Sequence, residues 1–174
     1  MDDLILADEV NLALFILRVV IGLTIAAHGY NKFFGGGRIP GTAAWFDSIG
    51  MRPGRLHAYM AASTEMGSGI LLAVGLLTPF AAAGLIGVMT VAGWTVHRHN
   101  GFFIIKEGWE YVFVLAVTGL VIATLGPGEW SLDDALDIAG DLDGWTGFWI
   151  ALVLGVGAGI AQLLVFFRPP AADD

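Results

Sequence analysis

The sequence predicts an all-α integral membrane protein, a four-helix bundle extended by a fifth transmembrane helix, with the amino terminus outside and the carboxyl terminus in the cytoplasm. Three observations carry this. Of 174 residues, 56% are hydrophobic and 14% are charged, against about 45–50% and about 25% in a soluble domain. With a mean hydropathy of +0.75, the apolar surplus needs a solvent other than water. Five apolar runs approach the ~20 residues that a helix needs to cross ~30 Å of hydrocarbon. With five crossings, Lys32, Arg38, Arg52, Arg55, Lys106, Arg98 and Arg168 all fall on one side, and basic loops favour the cytoplasm.

The elements follow in chain order. The first span covers about residues 11–31. The acidic start "MDDLILADEV" lacks the basic region of a cleavable leader, so the run reads as a retained span. In the basic loop after it, "GTAAWFDSIGM" (41–51) reads as a short helix on the cytoplasmic surface. The second span is about 57–77. Thr78-Pro79 separates it from the third, about 79–96, because Pro suits a helical first turn whose N–H has no partner. "HRHNGFFII" (97–105) is expected to dip its Phe pair into the interface. The fourth span is about 108–125. An acidic outer segment follows, with Glu129, Asp133, Asp134, Asp137, Asp141 and Asp143. There "SLDDALDIAGDL" reads as a short surface helix with Ser131 as N-cap and acids suited to the helix dipole. The fifth span, about 145–167, carries Ala151, Gly155, Gly157 and Gly159. Small residues let helices approach closely in lipid, either a partner, a second copy or a neighbour in the same bundle. Trp45, Trp94, Trp109, Trp145 and Trp149 fit interfacial belts. The chain divides into 1–137, the four-helix domain with its acidic segment, and 138–174, the extra helix and tail.

Composition also excludes. There is no cysteine, hence no disulfide, thiolate or iron–sulfur chemistry on this chain. A formal charge of −8 argues against nucleic acid, which needs a basic surface. Bis-His heme needs two facing imidazoles, and His28 is the one histidine well inside a span. His97 and His99 are half a metal site with no acids to complete it, so no metal and no covalently bound cofactor is expected.

The candidate site is a charged track through the bundle. An Arg in lipid costs about 2.5–3.5 kcal/mol unless it faces the bundle and finds a partner. Arg18 lies about 10 Å below the outer boundary and Glu65 about 12 Å above the inner one. An extended Arg nearly spans the ~8 Å left between them. Arg18–Glu65 is therefore the expected pair, with Glu110 the less suitable acid. His28, Lys32, Glu110 and Glu107 are expected at the cytoplasmic mouth. The track is either a register-fixing ion pair or a site for a quinone headgroup, a lipid headgroup or a proton relay. Gly22, Gly29, Gly67 and Gly69 are expected to let helices or a ligand come close.

These residues carry a family resemblance. Arg18 and Gly22 followed by "HGYNKF" (His28, Gly29, Lys32), then "TEMGSGILLAVGLLTPFAA" (Glu65, Gly67, Gly69, Gly75, Leu77), then "NGFFIIKEGWEY" and "GPGEWSLDDAL" (Gly126, Gly128, Ser131, Asp133), resemble the DoxX family of small membrane proteins over about residues 10–137. The resemblance implies a four-helix bundle in a bacterial plasma membrane and a link to membrane redox chemistry. Some members resemble thiosulfate:quinone oxidoreductase subunits, and others are tied to oxidative-stress assemblies. The fifth span departs from the family pattern, and the lack of cysteine sets direct thiol chemistry aside. The expected function is that of a non-catalytic accessory subunit of a redox or respiratory assembly, touching a quinone, lipid or partner in a membrane complex or homo-oligomer. The alternatives are a standalone carrier or channel for a small solute and a structural lipid-binding subunit.

Overall fold

The computed structural model describes residues 2–169, with side chains from Asp8 onward. The tail beyond Pro169, expected in the cytoplasm, lies outside the described residues. Those residues are overwhelmingly helical, as an all-α membrane protein requires. Long helices occupy all five apolar runs: α1 (Asp2–Phe34), α3 (Gly54–Val74), α4 (Thr78–Ala92), α5 (Glu110–Leu125) and α8 (Gly144–Phe166). Between them lie α2 (Arg38–Ser48), α6 (Leu132–Ala135) and α7 (Ala139–Leu142).

Asp8–Phe34, Thr78–Asn100 and Gly144–Phe166 are long and apolar enough to cross a membrane. The other two differ from a simple span for separate reasons. The α5 helix is apolar but has only 16 residues. The α3 helix has 21, about 31 Å of length, but its sequence is interrupted by polar residues. Three of them are covered: His57, Glu65 and Ser68 are buried, with α1, α2 and α4 packed around α3.

The α4 helix is the centre of the fold. Ala81, Ala82, Leu85, Ile86 and Met89 are buried, as expected for a helix that is apolar all round. The α3, α5 and α8 helices pack against it. Apolar clusters join α3, α4, α5 and α8 around Leu72, Ile86, Ile122 and Ala151, and α1, α4 and α5 around Ile25, Leu85 and Leu115.

Glycine sets the register of the two tightest pairs. The α1 and α3 helices run antiparallel, and a Cβ on Gly22 would lie 2.5 Å from the Gly69 carbonyl oxygen. One on Gly29 would lie 2.5 Å from the Met66 nitrogen. Gly155 and Gly159 do the same for α8 on α4, facing Ile86 and Thr90. Gly67 does not belong to this group. Nothing approaches its Cβ position within 4 Å, because it faces outward two residues before the packing face.

The short helix expected over 41–51 forms earlier, as α2, and plants Phe46 in a cluster with Met51, Ala58 and Val91 at the end of the bundle where α3 begins. The fifth helix is held at the same end, where Arg168 N–H donates to Gly50 O at 2.8 Å. At its carboxyl end α4 loosens into a π-turn, Gly93–His97, then a 3₁₀ turn, Arg98–Asn100. The Phe pair beyond stays outward, with Phe103 64% exposed.

Candidate functional site

The polar residues within the bundle form two separate clusters, one at the middle of α1 and one near its carboxyl end, rather than a single track. Arg18 belongs to the first. It is 1% exposed, and its acceptors are backbone carbonyls. Nε donates to Pro127 O at 3.0 Å, one terminal nitrogen donates to Ala73 O at 2.6 Å, and the other donates to Trp130 O.

Local structure makes those carbonyls available. The α3 helix ends at Gly75 in the left-handed conformation, φ 66°, with Leu76 N–H returning to Leu71 O and Gly75 N–H to Leu72 O. That Schellman turn leaves Ala73 O for Arg18. A Cβ on Gly75 would lie 2.8 Å from an Arg18 nitrogen, so a larger residue there collides with the guanidinium.

Asp133 joins the same turn, its N–H donating to Gly75 O at 2.8 Å, and it is fully buried rather than on the surface of the acidic segment. Its carboxylate accepts from Leu77 N–H at 2.6 Å, Thr78 N–H at 2.9 Å and Thr78 Oγ–H at 2.7 Å, capping α4 from outside its own helix. Ser131 does cap α6, accepting from Asp134 N–H at 3.2 Å. Asn11 Oδ1 accepts from Glu129 N–H at 3.0 Å. One buried cation and one buried acid thus tie α1 and the α3–α4 turn to the 126–138 segment.

Glu65 lies elsewhere. Its neighbour Met66 faces Gly29, eleven residues or about 16 Å along α1 from Arg18. The expected Arg18–Glu65 pair does not form, because the glycine-set register puts Glu65 beside the inner third of α1. Lys32 takes that place, with Nζ at 2.8 and 2.6 Å from the two carboxylate oxygens. Helical side chains lean toward their own amino termini. On antiparallel helices Lys32 therefore leans outward and Glu65 inward, and they meet.

The pair borders a cavity of about 640 Å³. Apolar residues of α1, α4, α5 and α8 form most of its wall, and on α4 the lining runs from Phe80 to Ala92, about 18 Å. His28, Thr64, Tyr111, His97 and Gln162 add polar groups to the lining. The only formally charged lining residues, Lys32 and Glu65, neutralise each other.

Glu110 stands outside this cavity. Its carboxylate accepts from Ile104 N–H at 2.9 Å and folds its own loop. Glu107 contributes a carbonyl, which accepts from Asn100 at 3.2 Å and meets His97 Nδ1 at 2.6 Å. His57, placed at the inner boundary by sequence, is fully buried beside Phe46 and Phe166. Its Nδ1 meets Gln162 Nε2 at 2.9 Å. Sequence reasoning passed over Gln162, although a lone amide inside the apolar run "AGIAQLLVF" is a visible signal.

Comparison with known proteins bears on the same residues. The family model DoxX matches residues 13–98, a stretch holding Arg18, His28, Lys32 and Glu65. CatD of Bacillus subtilis, provisionally named an oxidoreductase, is 31% identical over 120 residues, 68% of this chain and 82% of CatD. A Haemophilus influenzae protein of uncharacterised function is 26% identical over 146 residues, 79% of this chain and 92% of that protein. No solved structure matches.

Proposed function

The chain belongs to the DoxX family, and from that premise we propose that it is an accessory subunit of a membrane redox assembly that holds a quinone headgroup against the Lys32–Glu65 pair. The carrying observation is the cavity's charge balance. A cation and an acid at 2.6 Å, inside a long apolar space, leave no net charge to attract a phosphate or carboxylate. They still offer an N–H donor and carboxylate lone pairs to an uncharged carbonyl or hydroxyl. The ~18 Å lining along α4 suits a polar ring followed by an apolar tail. The provisional naming of CatD as an oxidoreductase is in line with a redox setting. The chain's part is binding and positioning, and the electrons pass through partner groups.

The reading has five crossings, the amino terminus outside and a bacterial plasma membrane around the bundle. The burial of Glu65 and Ser68 on α3 supports counting it as a span, since an ionisable residue within a span faces the bundle interior.

The test is titration of the purified protein in detergent with a decyl-chain benzoquinone. Saturable one-to-one binding is expected, weakened about ten- to a hundred-fold by Lys32→Met or Glu65→Gln, the value of one hydrogen bond to a charged group. Binding indifferent to both substitutions removes the site. Extraction from native membranes in mild detergent tests the assembly: a stoichiometric larger complex is expected, and a chain that migrates alone removes the accessory role.

A further inference from the structure

We propose a second ligand site, distinct in chemistry from the cavity: a lateral groove between the inner halves of α4, α5 and α8 that binds one anionic phospholipid, with its phosphate on Arg98. The groove holds about 570 Å³. Met89, Val112, Phe113, Ala116, Ile160 and Leu163 line it, and Phe113 and Ile160 are about half exposed. A channel with those walls, open sideways to hydrocarbon, holds a chain rather than water.

Its inner mouth is polar in one specific way. The Arg98 guanidinium carbon sits 4.0 Å over the Trp94 ring, and Nε donates to His99 Nε2 at 2.8 Å. Among the described residues no carboxylate lies within salt-bridge distance of Arg98, and its terminal nitrogens have no protein acceptor. Trp94 and Trp109 flank the mouth, as aromatic side chains do at a membrane interface. The backbone here is irregular: the π-turn over Gly93–His97 carries Trp94 directly into the stack with Arg98. Such turns recur at functional sites.

Charge complementarity selects the occupant. The cavity is neutral because Lys32 has Glu65; the groove mouth is cationic because Arg98 has no such partner. A held guanidinium presenting two free N–H-bearing ends matches the oxygens of a phosphodiester, and the apolar groove matches the attached chain. A zwitterionic lipid offers the same phosphate with a competing cation, so it binds less well.

The experiment is native mass spectrometry of the full chain released from micelles doped with equal amounts of dioleoyl-phosphatidylglycerol and dioleoyl-phosphatidylcholine. One retained phosphatidylglycerol is expected in about fivefold preference, the equivalent of about 1 kcal/mol for one Arg near the surface. Arg98→Gln should abolish the preference, while Arg98→Lys, which keeps the charge, should retain part of it. A wild-type protein that holds the two lipids equally overturns the proposal without any variant. So does a preference unchanged in Arg98→Gln of native thermal stability. Loss of quinone binding in Lys32→Met leaves this site untouched, so the two readings fail separately.

Discussion

A double-mutant cycle discriminates the observed ion pair from the pairing that depth estimates favour. Glu65 is buried, and Lys32 keeps 21% of its side-chain exposure. Breaking a fully buried pair by removing one partner costs about 3–5 kcal/mol, because a charge is left uncompensated. The exposure of Lys32 lowers that figure, since a long stem can carry its ammonium back to the interface. Lys32→Met should then cost about 2–3 kcal/mol and Glu65→Gln about 1–2, while the double variant, with no charge left over, costs about 1–2 kcal/mol. The interaction energy is about 2 kcal/mol, and the two substitutions are strongly non-additive. Arg18→Met combined with Glu65→Gln should be additive within about 0.5 kcal/mol, because ~16 Å separates the two levels. Reversible unfolding in mixed micelles, followed by far-UV circular dichroism, supplies the four energies. Additivity at 32 and 65 together with coupling of 1 kcal/mol or more at 18 and 65 would refute the geometry described here.

Further outcomes follow from the same packing. Gly67→Ala should be neutral or stabilising by up to about 1 kcal/mol, since helix propensity improves and the added methyl meets nothing within 4 Å. Two residues on, Gly69→Ala should destabilise, because its Cβ would lie 2.5 Å from the backbone of Gly22 and Ala26; thermal melts of the two variants should shift in opposite directions or leave Gly67→Ala unshifted. Arg18→Met should cost about 3 kcal/mol by leaving the Pro127, Ala73 and Trp130 carbonyls without their donor, and hydrogen exchange should quicken over 126–138 while the Lys32–Glu65 region keeps its protection. Asp133→Asn should cost about 2 kcal/mol, because an amide offers one oxygen to the three donors of Leu77 and Thr78; the same exchange measurement should report it at residues 75–80.

The arrangement explains why a guanidinium sits inside a greasy helix. Arg18 does not sit at the middle of the bundle. It lies where α3 ends, and it replaces solvent as the donor to three carbonyls that a helix terminus and a tight loop leave unpaired. Asp133 does the complementary work for the amides at the start of α4. The two form one closure at the α3–α4 turn, and the ligand-sized space opens about the Lys32–Glu65 pair.

Much of this molecule is written locally in its residues. Apolar run length gives the helices, Thr78-Pro79 and Gly75 give the break between α3 and α4, and Ser131 gives the cap of α6, because each depends on a few neighbouring residues. Membership of the family was legible for the same reason, since its motifs are short and contiguous. Partners across the bundle were not. Arg18 bonds to backbone carbonyls, which every residue carries and no residue advertises. Asp133 reads as one surface acid among six until the 126–138 segment folds inward. The choice of Lys32 over Arg18 as the partner of Glu65 depends on how far α1 slides along α3, and that offset is set by Gly22, Gly29 and Gly69 meeting a particular stretch of opposing backbone. Spacing along one helix contains no information about that slide; contact between two helices does.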